Sequence, residues 1–250
     1  RHLEGPYPAQ AGAARGRDTV TGTAYRLVSF KSCPWVQRVA IVLREKGLGF
    51  DFIHIESDDR PDWFGSVSPH NKVPVLLIGD DAALFESDAI NEYLDESHGP
   101  RLHPEDPVQR AHNRAWIAFA PSFADIASGH AYAESEAGYD KAVAQVPALF
   151  AKMEAALQRN DAGPYFNGAA YSLVDAAYAP FLQRHLFLER IRRIGVIDNH
   201  PRLRAWAEAI VARPSTHSFP PAEYEAMYRD MVKRRKRWMS QFVDGLQPAA

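Results

Sequence analysis

The sequence predicts an α/β N-terminal domain followed by an all-α C-terminal domain. Short β-type runs alternate with helical patterns in residues 24–97, whereas residues 108–240 carry only helical patterns separated by breakers. Between these regions, residues 98–107 are dense in helix breakers, which is typical of a linker. A chain of 250 residues is long enough for two compact domains.

The first strand and the first helix follow from local signals. Residues 25–30 form a β-type run, and Pro34 suits the first position of a helix. Gly47 stands where a left-handed cap would end that helix, because glycine adopts positive φ without steric cost. The apolar residues of this helix recur at helical spacing: Val36, Val39, Ala40 and Leu43.

Three more β-type runs complete the sheet, at residues 50–56, 73–78 and 82–85, with a Gly-Asp-Asp turn at residues 79–81. Ser87 suits the N-cap of a second helix. The apolar face of that helix consists of Ile90, Tyr93 and Leu94. The order β-α-β, then β-β-α, predicts a mixed sheet, because parallel neighbours need a helical crossover and antiparallel neighbours need only a turn.

We therefore expect five segments along the chain. These are a flexible arm or a leftover of cloning (1–23), an α/β domain (24–97), a linker (98–107), a helical domain (108–240) and a tail (241–250).

Composition and charge exclude several classes of function. The net charge of −2 and the pI near 6.6 argue against nucleic acid and against anionic membrane surfaces as partners. The single cysteine excludes an intramolecular disulfide and favours a reducing compartment, so we expect a cytoplasmic protein. No run approaches the ~20 apolar residues of a membrane span. The histidines show no metal-ligand spacing, and we expect no metal; His103, His130 and His217 are among them.

Cys33 is the first candidate for chemistry. It lies at a predicted strand-to-helix junction, where Pro34 places its sulfur at the helix N-terminus. Unpaired N–H groups and the positive end of the helix dipole favour a thiolate there. A lone cysteine is also commonly a small buried apolar residue. The position of Cys33 alone fits a reactive thiolate and a structural residue equally well.

Two further motifs suggest a binding site for an extended, charged ligand. Val73-Pro74 begins a strand with a proline, either as a simple strand start or through a cis bond that turns the backbone of Val73 outward to pair with a peptide. Glu86-Ser87 precedes a helix, where Ser87 either caps the helix or helps to bind a carboxylate. Glu86 can accept from an ammonium group, so the pair matches the two charges of an amino acid head group.

In their order and spacing these motifs resemble the glutathione transferase family, in which a thioredoxin-like domain carries this set. The resemblance lies in Ser32-Cys33-Pro34-Trp35, Arg60-Pro61-Asp62-Trp63-Phe64, Lys72-Val73-Pro74-Val75-Leu76 and Phe85-Glu86-Ser87. It covers the chain from about Tyr25 through the helical half, and it is similar to the omega class and to bacterial glutathione lyases. The Ser172-x-x-Asp175 pattern resembles the capping box in the family's central helix.

The resemblance implies roles for individual residues. Cys33 would be the catalytic nucleophile, and glutathione the co-substrate. The glutathione-binding residues would be Arg60, Lys72, Val73, Pro74, Glu86 and Ser87. Arg60 stands where the omega pattern has Lys, which keeps the charge and alters the geometry. An acceptor pocket between Cys33 and the helical domain would be lined by Trp35, Trp116, Phe119, Phe123, Tyr224, Met227 and Tyr228, although each taken singly also fits a core position.

The resemblance also implies a reaction. A dithiol enzyme would have a second cysteine three residues after Cys33, where this chain has Val36, so any redox cycle must be monothiol and resolved by a second glutathione. The chain would remove glutathione from small, aromatic conjugates or mixed disulfides, working as a homodimer. Two alternatives remain open: conjugation of electrophiles by glutathione's own thiol, and a non-catalytic transferase-like module that serves as a regulator or channel relative.

Overall fold

The computed structural model describes residues 25–80, 82–159 and 163–245, which belong to two compact units, one ending at Ser97 and one beginning at His98. The predicted arm at residues 1–23, Asp81 of the predicted turn, and residues 246–250 of the predicted tail lie outside the described residues. Across the described residues, no helix combines the length and the apolar character that crossing a membrane requires.

The first unit contains a four-stranded mixed sheet. Its strands are β1 (Tyr25–Ser29), β2 (Phe50–His54), β3 (Val75–Ile78) and β4 (Ala82–Phe85). Their order is β2-β1-β3-β4; β1 pairs with β2 in parallel, and the other neighbours are antiparallel. The predicted mixed sheet is therefore confirmed. β3 begins two residues later than the predicted run, because a proline has no N–H to donate to the ladder.

Helices pack on this sheet: α1 (Pro34–Glu45), α2 (Phe64–Val67) and α3 (Ser87–Ser97). The predicted apolar face of α1 is buried, and Gly47 follows the helix with φ of 65°. Its N–H donates to the Arg44 carbonyl, so the predicted left-handed cap is present. Beside it, Lys46 Nζ lies 2.9 Å from Asp95 Oδ1 in an ion pair whose two side chains are almost fully buried. This pair joins the end of α1 to α3.

The predicted start of α3 is wrong. The sequence predicts Ser87 as the N-cap of α3, whereas Ser87 is the first residue of the helix. The carbonyl of Glu86 accepts the first helical hydrogen bond, from the Ile90 N–H at 3.0 Å. Glu86 has φ of 67°, and this left-handed turn brings the chain into the helix one residue earlier than expected.

The second unit is helical, with 3₁₀ turns at His130–Tyr132, Val196–Asn199, Pro214–Thr216 and Trp238–Gly245. Its α-helices are α4 (Pro107–Gly129), α5 (Glu136–Val143), α6 (Val146–Leu157), α7 (Leu173–Ile191), α8 (Pro201–Val211) and α9 (Pro221–Arg234). Gly138 lies in the first turn of α5, where its N–H donates to Ser135 Oγ. Internal prolines do not end α4 or α7, which contain Pro121 and Pro180.

The central helix α7 is buried along most of its length and packs against α4 and α8. The capping box of Ser172 and Asp175 opens this helix, as predicted. Asp175 is fully buried, and its carboxylate accepts from the Ser172 N–H and hydroxyl, each at 2.7 Å. It also accepts from the Phe166 N–H at 2.8 Å and from Trp206 Nε1 at 2.6 Å. One carboxylate thus joins α7, α8 and the loop that precedes α7.

Candidate functional site

The strand register brings the predicted site segments of the first unit to one end of the sheet. Val28, near the end of β1, pairs with Val75 at the start of β3, and Val75 also pairs with Phe85 at the end of β4. On the other side of β1, Ser29 pairs with His54, the last residue of β2. The segments that begin or finish at this end carry Cys33, Trp35, Arg60, Lys72, Val73, Pro74, Glu86 and Ser87.

Cys33 closes the turn after β1 and opens α1. Its N–H donates to the Phe30 carbonyl at 3.1 Å, and its own carbonyl accepts the first hydrogen bond of α1, from the Gln37 N–H at 3.0 Å. Cys33 is therefore the N-cap residue, and Pro34 is the first helical residue. The Cys33 side chain is half-buried and is not used as a cap. Its sulfur lies at a helix N-terminus, an environment that favours the thiolate.

The backbone before Val73 is held by a buried hydroxyl. The Val73–Pro74 peptide bond is cis, and both residues are buried. The Lys72 N–H donates to Ser68 Oγ at 2.9 Å, and the Ser68 hydroxyl donates to the Lys72 carbonyl at 2.7 Å. Ser68 is only 1% exposed, so this double contact fixes the chain where it enters β3.

Ser87 is held by an arginine from α1. Arg38 is 1% exposed, and its Nη1 donates to Ser87 Oγ at 3.0 Å. The same guanidinium forms an ion pair with Asp88 and lies 5.4 Å from the centre of the Trp35 ring. Burial raises the pKa of the Asp88 carboxyl, and the neighbouring Arg38 opposes that shift. Because a hydroxyl has one proton and two lone pairs, Ser87 can accept from Arg38 and still donate to a ligand carboxylate.

Glu86 is held by a histidine from the loop before β3. Its side chain is exposed, and its Oε1 lies 2.5 Å from His70 Nε2. The other ring nitrogen of His70, Nδ1, lies 3.2 Å from Ser68 Oγ. The His70 ring also contacts the Phe85 ring edge-to-face, at 5.6 Å between centroids. The residue predicted to bind an ammonium group is therefore already in contact with a side chain of the same unit.

The two predicted cationic residues of the site are exposed at the same end of the sheet. The Arg60 guanidinium lies 5.5 Å from the centre of the Phe30 ring, beside the turn that Cys33 closes. Lys72 directly precedes Val73. Both side chains are cations of the kind that bind carboxylates, and a guanidinium can do so with two parallel donors.

The acceptor residues predicted in the second unit belong to two groups. Trp116 and Phe119 are half-buried and contact each other edge-to-face, whereas Phe123 is fully buried between Phe150 and Tyr178. Tyr224 and Tyr228 pack in a core cluster with Phe187 and Leu188, and Met227 beside them is half-buried. Exposure thus favours Trp116, Phe119 and Met227 as ligand contacts, and it favours a packing role for Phe123, Tyr224 and Tyr228.

Sequence reasoning missed three residues of the site: Arg38, Asp88 and His70. A signal existed for Arg38, because an arginine among buried apolar residues of a helix must find a partner. Asp88 follows the Glu-Ser motif and carried no signal of its own. His70 lies in a loop, and only its contact with Glu86, 16 residues away, identifies it.

Metal ligands are not clustered in the described part of the chain: there, no three His, Cys, Asp or Glu side chains are arranged to hold an ion. Of the histidines noted in the sequence, His103 and His130 are buried, and His217 lies 3.3 Å from the Gln183 side-chain nitrogen.

Comparison with known proteins agrees with this architecture. The chain matches the family model described as "Glutathione S-transferase, N-terminal domain" over residues 27–102 and the one described as "Glutathione S-transferase, C-terminal domain" over residues 136–209. It is 33% identical over 193 residues to glutathione S-transferase L1 of Arabidopsis thaliana, covering 75% of this chain and 77% of that relative. It is 29% identical over 191 residues to glutathione S-transferase omega-1 of Sus scrofa, covering 76% and 78%.

A solved structure of rice GST1 in complex with glutathione is similar to this chain with a TM-score of 0.73 and 27% sequence identity, covering 86% of this chain and 96% of that one. The mixed sheet with a cysteine at a helix N-terminus, followed by a helical unit, defines the class as a thioredoxin-like fold with a helical extension. The chain belongs to the glutathione transferase superfamily, in which it resembles the omega class.

Proposed function

We propose that this protein is a glutathione-dependent thiol transferase and lyase that removes glutathione from small conjugates or mixed disulfides through a covalent intermediate at Cys33. The observation that carries the proposal is the position of the chain's single cysteine, half-buried at the N-terminus of α1, with its side chain not used as a cap. A transferase that only activates the thiol of glutathione needs a hydroxyl donor there, and a cysteine is better suited to attack sulfur.

Glutathione is the proposed co-substrate. The backbone of Val73 would pair with the cysteinyl part of the ligand, as an added strand pairs with a sheet edge. Glu86 would accept from the γ-glutamyl ammonium group, and the Ser87 hydroxyl would donate to its carboxylate. Arg60 and Lys72 would bind the glycine carboxylate. The similar rice structure in complex with glutathione supports glutathione as the ligand.

With a mixed disulfide, the Cys33 thiolate attacks the glutathionyl sulfur. The bond between that sulfur and the acceptor breaks, a disulfide between Cys33 and glutathione forms, and the acceptor leaves as a thiolate that takes a proton from water. A second glutathione thiolate then attacks the glutathionyl sulfur of the intermediate. Oxidised glutathione leaves, and the Cys33 thiolate is regenerated with electrons balanced.

With an α-thio ketone of an aromatic compound, the same attack breaks the carbon–sulfur bond. The electron pair of that bond leaves on the α-carbon as an enolate, which takes a proton and becomes the ketone. Cys33 is again left in a mixed disulfide with glutathione, and a second glutathione resolves it. Trp35, two residues after Cys33, is a proposed contact for an aromatic acceptor.

Cytoplasmic localisation and a homodimeric state form part of the same proposal. A thiolate that cycles with reduced glutathione requires a compartment in which thiols stay reduced, and a chain with a single cysteine suits such a compartment. The dimer is proposed from membership of the superfamily.

The test is an intact-mass spectrum of the full chain after incubation with oxidised glutathione. We expect one glutathionyl adduct on the wild type, which dithiothreitol removes, and no adduct on Cys33→Ser as the matched control. If the wild type stays unmodified under conditions that modify a cysteine-containing peptide, Cys33 is not the nucleophile that we propose.

A further inference from the structure

A chain of hydrogen bonds connects two parts of the proposed glutathione site through His70. At one end of the chain, Ser68 Oγ holds both backbone groups of Lys72, the residue before Val73. At the other end, His70 Nε2 contacts the Glu86 carboxylate at 2.5 Å. The His70 ring bridges the two ends, because its Nδ1 lies 3.2 Å from Ser68 Oγ.

The two ring nitrogens of His70 face different partners. An ionised Glu86 carboxylate has no proton, so Nε2 must donate to it. The Ser68 hydroxyl donates to the Lys72 carbonyl over 2.7 Å, and Nδ1 of His70 lies beside the same hydroxyl oxygen. The ring therefore stands between the Glu86 carboxylate and the oxygen that fixes the Lys72 backbone.

Glu86 needs such a partner for its proposed role. Its side chain is 60% exposed, and a glutamate in that position samples many rotamers unless a contact holds it. Fixing those rotamers costs free energy, which ligand binding must otherwise supply. His70 holds one carboxylate oxygen and leaves the other to accept from an ammonium group.

A protonated ring would repel a ligand ammonium group, and this effect opposes the ordering of Glu86. At this exposed position the repulsion is screened by water, and the two cations would contact different oxygens of the carboxylate. Ordering a long glutamate side chain costs rotamer entropy, and the contact with His70 supplies that ordering before the ligand binds. We therefore expect tighter ligand binding with His70 present.

We propose that His70 is a positioning residue of the glutathione site, which holds the Glu86 carboxylate for the ligand's ammonium group and ties it to the Lys72 backbone through Ser68. This inference rests on the proposed function. Glu86 is the charged group in contact with the His70 ring, and the Phe85 ring lies against its face.

The experiment measures calorimetric binding of S-methylglutathione, a ligand without a reactive thiol, to the full chain. Four variants accompany the wild type: His70→Ala, His70→Gln, Glu86→Ala and, as a matched control, the exposed His112→Ala. We expect His70→Ala to weaken binding roughly 3- to 10-fold. His70→Gln keeps an N–H donor that reaches Glu86 and should recover most of the affinity. His112→Ala should bind as the wild type does.

A further readout separates positioning from a purely structural role. His70→Ala should raise the KM for glutathione and leave kcat unchanged, because the attack by Cys33 does not involve this ring.

Two outcomes overturn the inference while leaving the proposed function intact. One is that Glu86→Ala weakens binding and His70→Ala does not. The other is that His70→Ala binds more tightly than the wild type, which would show that the ring competes with the ligand's ammonium group. If the wild type does not bind S-methylglutathione at all, this inference and the proposed glutathione site both fail.

Discussion

Helices α1 and α7 both begin after an N-cap residue with extended backbone, but the side chains at the two helix starts have opposite roles. At α7, Asp175 turns back on the cap residue Ser172 and accepts four hydrogen bonds inside the core. At α1, the cap residue is Cys33, whose side chain is not used as a cap and is half-buried rather than enclosed. Its neighbour Pro34 has no N–H to satisfy.

This comparison shows how one local structure serves either stability or chemistry. Where the chain's own side chains take up the polar groups of a helix end, removing them exposes unsatisfied buried groups and costs stability. Where the cap residue is a cysteine, the same dipole acts on a reactive sulfur. A substitution at α1 should therefore change activity without changing stability, and a substitution at α7 should do the reverse.

Cys33→Ser should have the largest effect, and only on activity. The hydroxyl stays protonated at neutral pH and cannot form the mixed disulfide, so deglutathionylation of a phenacyl glutathione thioether should fall by several orders of magnitude. Glutathione binding and the free energy of unfolding should stay close to wild type, as measured by calorimetry and urea denaturation. Conjugation of a chlorinated nitrobenzene should be retained or increase. Wild-type deglutathionylation in this variant would favour the conjugating alternative.

Asp175→Ala should have the largest effect on stability. It leaves four buried donors without an acceptor, so the free energy of unfolding should fall by about 3–5 kcal/mol. The matched control is Asp106→Ala at the N-cap of α4, where an exposed carboxylate accepts from the Gln109 N–H alone. That control should lose about 1 kcal/mol. Equal losses in the two variants, measured by urea denaturation, would contradict the distinction between a buried and an exposed cap.

The buried His130 should make the stability of the helical unit depend on pH. Burial lowers the pKa of His130 to about 4, and the neighbouring His185 adds to the shift. Since the unfolded chain titrates near the ordinary histidine value of ~6.5, this group is neutral in the folded state and binds a proton only on unfolding between those two values. The free energy of unfolding should therefore fall by about 2–3 kcal/mol as the pH falls from about 6.5 to about 4.

His130→Phe keeps a ring against Tyr139, and its free energy of unfolding should depend less on pH across that window. The control His112→Phe changes an exposed histidine and should keep the wild-type pH dependence. Urea denaturation at several pH values checks both variants. The same acid slope in His130→Phe and in the wild type would mean that another group causes the loss.

Ser87→Ala should have the smallest effect of these substitutions. The N-terminus of α3 is intermediate between those of α1 and α7, because Ser87 has both a partner within the protein and a proposed ligand. Ser87 is buried and accepts from Arg38, and its proton remains available for a ligand carboxylate. We expect glutathione to bind about 1–2 kcal/mol more weakly by calorimetry. The melting temperature should fall modestly, because the buried Arg38 Nη1 loses Ser87 Oγ as an acceptor while its ion pair with Asp88 remains. Unchanged affinity would mean that the carboxylate of the γ-glutamyl group binds elsewhere.

Much of the fold follows from short-range signals in the sequence. Pro34 and Gly47 mark the two ends of α1, and Ser172 with Asp175 marks the start of α7, because such signals act within one turn of a helix. The same signals identified Cys33 as an N-cap residue. The predicted start of α3 is wrong by one residue. Glu86 has a positive φ, and the sequence has no glycine or asparagine at that position to indicate it.

The partners of the site residues were decided only by the tertiary structure. Arg38 reaches Ser87 across 49 residues of chain, and His70 reaches Glu86 across 16. The helical or strand periodicity of the sequence does not reveal such pairs. It shows which face of an element is buried, but not which residues pack against that face. The sequence by itself determined which residue types stand at the end of the sheet. Strand register and packing decided which of them hold one another in position.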